Sequence, residues 1–100
     1  MIRIILCCAS GMSTSLLVQK MEQAAKERQL QTKIWAVSAN EIKENAKDAD
    51  IILLGPQVRH AKKAIEADAD GKPVVHIGIK EYGMMNGNAV LNQVLEVLGK

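Results

Sequence analysis

The sequence predicts one α/β domain over residues 1–100, built on an open, four-stranded, mainly parallel sheet with helices on both faces. Short aliphatic runs alternate with amphipathic segments along the whole chain, which is the pattern of strand, crossover helix and next strand. Two of those runs, "IRIILC" and "DIILLG", are almost continuously apolar, as strands covered on both faces are. The length, 100 residues, suffices for one core without disulfides or metal and leaves no room for a second domain.

The first strand is Ile2 to Cys7, rich in Ile and too short for a helix. Residues 13 to 29 then form a helix. Leu17, Val18, Met21, Ala24 and Ala25 recur at helical spacing, Gln19, Lys20, Gln23, Lys26 and Glu27 lie opposite, and Glu22 precedes Lys26 at the favourable offset. "TKIWAV", 32 to 37, alternates as a less completely buried strand does and suits a sheet edge. Ser38 or Asn40 caps a short helix ending near Lys47. "DIILLG", 50 to 55, is the most apolar run and the best central strand; Gly55 and Pro56 end it. Val58, Ala61, Ala64 and Ile65 trace the inner side of a third helix, and "KPVVHIG", 72 to 78, is the fourth strand. Residues 79 to 87 are expected to be a loop with at most a turn of helix. Asn88 is placed to cap a last helix with Val90, Leu91, Val94, Leu95 and Leu98 inward.

Composition excludes several function classes. One Trp, one Tyr and no Phe leave no stacking platform for single-stranded nucleic acid, and a formal charge of +2 does not mark a polyanion partner. Nucleic acid is therefore not an expected partner. The apolar runs fall far short of the roughly 20 residues that span a bilayer, and no signal-like segment is seen. The protein is expected to be cytoplasmic, with no direct membrane insertion. Cys7 and Cys8 are adjacent, so a structural disulfide between them would close a strained ring.

In an open parallel sheet, ligands bind beyond the carboxyl ends of strands where the strand order reverses. The segment after the first strand, "CASGMSTS", is suited to such a place. Cys8 stands between the strand end and the N-terminus of the first helix, where unpaired N–H groups and the helix dipole favour an anion, whether thiolate or phosphate. Such a position can lower a thiol pKa from about 8.5 to between about 3.5 and 7.5. Ala9 and Ser10 are small, Gly11 permits positive φ, and Ser13, Thr14 and Ser15 supply hydroxyls, so consecutive N–H groups can converge on a phosphate. A Walker loop is excluded because no Lys occurs between Cys8 and Lys20. The opposing view is that two cysteines at a strand end are simply packed, which is accepted for Cys7. Spacing alone leaves Cys8 open between packing and nucleophilic chemistry.

"CASGMSTS" resembles the Cys-x5-Arg-Ser/Thr loop of low-molecular-weight tyrosine phosphatases, with Thr14 where their arginine would stand. Hydrolysis through a phosphocysteine wants that cationic clamp and an acid for the leaving group, and this loop supplies neither. A loop that holds phosphate by N–H and hydroxyl groups alone suits a relay that passes the group on.

A closer resemblance covers essentially the whole chain. "CASGMSTSLLV" is similar to the active-site segment of the B component (enzyme IIB) of the lactose, cellobiose and chitobiose class of bacterial sugar phosphotransferase systems, and "DIILLGPQV" and "YGMMNG" continue the likeness. The resemblance implies a four-stranded parallel sheet flanked by helices, with a phosphatase-like phosphate loop after the first strand. It implies that Cys8 is the phosphorylated residue, that Ser10, Gly11, Met12, Ser13, Thr14 and Ser15 form the phosphate loop, and that Gly55, Pro56 and Gln57 form its neighbouring wall. It further implies no cofactor and two protein partners: enzyme IIA, which donates from phosphohistidine, and membrane-embedded enzyme IIC, which holds the sugar, expected to be a β-disaccharide such as cellobiose, chitobiose or lactose.

Other residues weigh less. Arg59, His60, Lys62 and Lys63 begin the third helix, where positive charge opposes the dipole; they either steer a phosphorylated partner or form a solvated basic face. Neither His60 nor His76 has companions at ligand spacing, so no metal site is expected; His76 is read as a strand residue with a satisfied ring and His60 as a surface residue. Tyr82, Met84 and Met85 follow the fourth strand and serve either as partner contacts or as core filling. Competing functions are a small cysteine phosphatase or arsenate-reductase-like hydrolase, a receiver-like domain, which lacks acids at the first strand end and an aspartate at Gly55, and a noncatalytic anion-binding module.

Overall fold

The computed structural model describes residues 1–7 and 11–99, apart from the side chains of residues 11–14 and 57. Its elements in chain order are β1 (Ile2–Cys7), α1 (Gly11–Glu27), β2 (Thr32–Val37), α2 (Ile42–Asn45), β3 (Ile51–Leu54), α3 (Lys62–Asp68), β4 (Val74–His76), α4 (Ile79–Gly83) and α5 (Gly87–Leu98). Short 3-10 segments flank α2 and fill Pro56–Ala61 ahead of α3. The strands form one sheet in the order β2-β1-β3-β4, with every pair parallel. β1 is therefore the strand from which the chain first moves to one side and then, through α2, crosses to the other.

The near-continuous apolarity of β1 and β3 has a direct cause. Ile2, Ile4 and Leu6 with Ile51 and Leu53 face one core, while Ile5 and Cys7 with Ile52 and Leu54 face a second core on the opposite side. Alternate residues point to opposite faces, so a strand buried on both needs an apolar residue at every position. β2 lies at an edge, where only Ile34 is buried and Lys33 and Ala36 are exposed. β4 is the other edge.

The first core is closed by Leu17, Met21 and Ala25 of α1 and by Val90, Leu91 and Val94 of α5. These two helices meet at Gly87. A Cβ there would overlap the α1 backbone, lying 2.6 Å from the Met21 nitrogen, so only glycine permits this approach. That contact also shifts the expected start of α5. Because Gly87 must sit in the first turn, the cap is Asn86, whose Oδ1 accepts from the Ala89 N–H at 3.1 Å, rather than Asn88. Asn88 instead accepts from Arg28 Nη1 at 3.1 Å, beside Asn92 at 2.7 Å.

The second core is closed by pieces of helix. Ile42, Ala46 and Ala49 come from the segment around α2, and Val58, Ile65 and Ala69 from the segment around α3. The third helix is interrupted where continuous periodicity predicts none, because Val58 departs from helical geometry at φ −119° and ψ 17°. Ala64, expected inward, is exposed after that break, and Ala69 takes a buried place instead. Residues 79–83 form α4, the turn of helix expected within the 79–87 segment.

Candidate functional site

The site is built at the carboxyl end of the two central strands. Cys7 pairs with Leu54 in register, and the Gly55 N–H donates to the Cys7 carbonyl at 3.0 Å. This bond continues the ladder one residue past β3 and holds Gly55 against the end of β1. Chain order reverses at this place, between β1 and β3, and such a switch leaves a crevice beyond the strand ends.

Residues 8–10, with Cys8 and Ser10 among them, lie outside the described residues, as do the side chains of Gly11, Met12, Ser13 and Thr14. The described backbone brackets them: β1 stops at Cys7 and α1 begins at Gly11. The first four N–H groups of a helix have no intrahelical acceptor, and α1 has no acidic residue in its first turn to consume that positive end. Ser15 is exposed in α1. The Cys7 side chain is fully buried in the second core among Ile5, Leu54 and Val58, which accords with the packing role expected for it.

On the wall, Gly55 is buried, Pro56 is half-buried and opens the 3-10 segment, and the side chain of Gln57 lies outside the described residues. Proline suits the first position of such a turn because its missing N–H would have no partner there. Beyond the wall, Arg59, His60 and Lys63 are exposed and Lys62 is half-buried.

Tyr82, expected as either a partner contact or core filling, is 6% exposed and belongs to the first core. Met84 is exposed, and so is Ile79, which sequence reasoning missed. A signal existed: Ile79 follows Gly78 in the first turn of a helix too short to bury both sides. The satisfied ring expected for His76 is not found among the described residues. Its Nδ1 is buried without a hydrogen-bond partner among the described residues, although its carbonyl accepts from Gln93 Nε2 at 2.6 Å.

One acidic group stands after β2. Glu41 accepts from the Ser38 hydroxyl at 2.7 Å and from the Ser38 N–H at 3.1 Å, and these bonds hold its pKa below the ordinary carboxylate value. A cavity of about 550 Å³ between Arg28, Asn92 and Gly99 lies toward the amino ends of the strands and is not part of this site.

Comparison with known proteins resolves what this arrangement belongs to. The family model "PTS system, Lactose/Cellobiose specific IIB subunit" matches residues 3–93. The chain belongs to that family. Among IIB relatives, the oligo-beta-mannoside-specific EIIB component of Bacillus subtilis (strain 168) is 39% identical over 98 residues, covering 96% of this chain and 95% of the relative. The galactose-specific EIIB component of Lactococcus lactis subsp. cremoris (strain MG1363) is 42% identical over 95 residues, covering 88% of each chain. The solution structure of the cellobiose-specific IIB component from Borrelia burgdorferi superimposes with a TM-score of 0.76 at 39% identity, covering 91% of this chain and 85% of that one. The lactose-specific IIB domain from Streptococcus pneumoniae shares the fold, with a TM-score of 0.83 at 21% identity and 95% coverage of both chains. The protein is thus an EIIB-type phosphotransferase component, which works with other components of a sugar phosphotransferase system. The relay, and not the phosphatase-like alternative, is its class.

Proposed function

We infer that Cys8 carries the phosphoryl group, with Ser10 through Ser15 as the loop that binds it and Gly55, Pro56 and Gln57 as the adjoining wall. The observation that carries this reading is the bond from the Gly55 N–H to the Cys7 carbonyl, at 3.0 Å. It makes Cys7 the end of a central strand at the switch point, and the next residue in sequence is Cys8, three residues before α1 starts at Gly11.

The reaction has two in-line displacements. The Cys8 thiolate attacks phosphorus on the phosphohistidine of enzyme IIA; the S–P bond forms, the P–N bond breaks, and the imidazole leaves with the bonding pair. A sugar hydroxyl held by membrane enzyme IIC then attacks the same phosphorus. The S–P bond breaks, the thiolate is restored, and a group outside the loop takes the hydroxyl proton. Positioning and electrostatics supply most of the catalysis in such transfers. Donor N–H groups without an arginine clamp leave the phosphothiol transferable.

The sugar is a β-disaccharide or a close relative, chosen by the membrane partner. Relatives 39% to 42% identical to this chain are named for different sugars, so overall likeness in the B component does not follow the sugar. No helix among the described residues is long and apolar enough to cross a membrane, and a cytoplasmic place beside enzyme IIC fits that.

Incubation with phosphohistidine-charged enzyme IIA, followed by mass spectrometry, tests this reading. One phosphoryl group should appear on Cys8, vanish in Cys8→Ser and persist in Cys7→Ser. Label on Cys7, or steady hydrolysis of an aryl phosphate, would show it to be wrong.

A further inference from the structure

We propose that the run from Arg59 to Lys63 is the docking surface for the phosphohistidine-bearing donor protein, and that its charge sorts the donor from the membrane partner. The proposal rests on the relay reading above and names how that relay tells its two partners apart.

Four basic or ionisable side chains, Arg59, His60, Lys62 and Lys63, fall within five residues, and three of them are exposed. The fold has no evident use for them. α3 has no acidic residue in its first turn, and among the described residues none of the four has an ion pair. Lys62 and Lys63 open α3, where cations oppose the helix dipole, and Arg59 and His60 lie in the last turn of the 3-10 segment before it. Their position is specific. The run begins four residues after Gly55, the residue bonded to the Cys7 carbonyl at the carboxyl end of the sheet. On the other sheet face the same end carries exposed apolar side chains, Leu16 at 44%, Ile79 at 62% and Met84 at 66%. The strand ends are thus bordered by apolar surface on the α1 and α4 side and by positive charge on the β3 exit.

Charge decides which partner such a rim fits. A phosphorylated side chain brings about −1.5 to −2 charges, which a basic rim attracts, whereas the cytoplasmic loops of membrane proteins are enriched in Lys and Arg, which it repels. Transfer reverses the preference. When the phosphoryl group moves from donor nitrogen to Cys8 sulfur, the donor loses the charge that held it and the rim is neutralised from within. The spent donor is released, and the phosphorylated protein accepts a basic face.

Two measurements test this with Arg59→Gln/Lys62→Gln/Lys63→Gln. The first titrates phosphorylated enzyme IIA into the triple variant made in a Cys8→Ser background, where docking is read without transfer. Affinity should fall about tenfold at low salt relative to Cys8→Ser alone, the gap should close as salt is raised, and unphosphorylated IIA should discriminate far less. The second follows single-turnover transfer to the Cys8 protein, where the second-order rate should fall by a similar factor and Arg59→Lys should retain it. Equal affinities at every salt concentration would overturn the docking proposal whether or not Cys8 is the carrier. Loss of binding to vesicles containing anionic lipid, with donor affinity unchanged, would overturn it in favour of a membrane-surface contact. Absence of label on wild-type Cys8 would overturn the relay reading, while the titration still decides docking.

Discussion

One face of the sheet is covered by helices of 17 and 12 residues, and the other by helical pieces of three to seven. The long pair, α1 and α5, is held by side-chain burial along two continuous seams and by the close contact at Gly87. The short pieces bury smaller groups, Ala46, Ala49 and Ala69 among them, and are pinned by individual polar bonds. Trp35 Nε1 donates to Asn45 Oδ1 at 3.3 Å, Lys72 Nζ to the Ala49 carbonyl at 2.6 Å, and Ser38 to Glu41. The irregular face also carries Gly55, Pro56 and the basic run. A segment that must turn at Gly55, break at Val58 and present cations cannot also be an uninterrupted amphipathic helix.

This contrast can be broken at either side. The largest effect is expected for Leu91→Ala, which empties a fully buried place between α5 and the sheet and should cost about 2–5 kcal/mol in urea unfolding. Gly87→Ala comes next. Its new methyl meets α1 backbone and should cost about 1–3 kcal/mol, and a neutral result would show that the helices can separate freely. On the irregular face, Trp35→Phe removes the bond to Asn45 and keeps most of the ring, for a loss of about 1 kcal/mol. A loss as large as that of Leu91→Ala would show that the short pieces fold as one unit with the edge strand.

Glu41→Gln should have the smallest effect and the clearest pH signature. The native carboxyl has a lowered pKa, so its contribution is present above the unfolded carboxylate range and is lost as pH falls through the native value. The stability difference between wild type and variant should therefore shrink on acidification. A difference that is constant with pH would mean that Ser38 holds the protonated carboxyl as well as the carboxylate.

Much of this molecule was readable before any coordinates. Ile2–Cys7 and the run around Ile51–Leu54 announce central strands because burial on both faces demands apolar residues at each position, and α1 announces itself by its periodicity. What the sequence left open or misplaced shares a cause. Tyr82 beside Met84 suits either a contact pair or core filling, and a short helix buries Tyr82 and leaves Met84 exposed. Asn86 and Asn88 are equal as caps by residue type, and only the approach of α1 at Gly87 chooses between them. His76 has ordinary strand neighbours, and nothing local says that its Nδ1 will be buried without a partner.

Local chemistry therefore accounts for the α/β class, the central strands and the long helix, since each depends on side-chain pattern within a few residues, while for Cys8 it leaves packing and nucleophilic chemistry open and the family resemblance names the role. The strand order, the bond from Gly55 to Cys7, the break at Val58 and the split of the strand-end rim into apolar and basic sides join residues tens of positions apart. Those contacts exist because two cores must close at once over one sheet, a condition that no single stretch of the chain can satisfy or reveal.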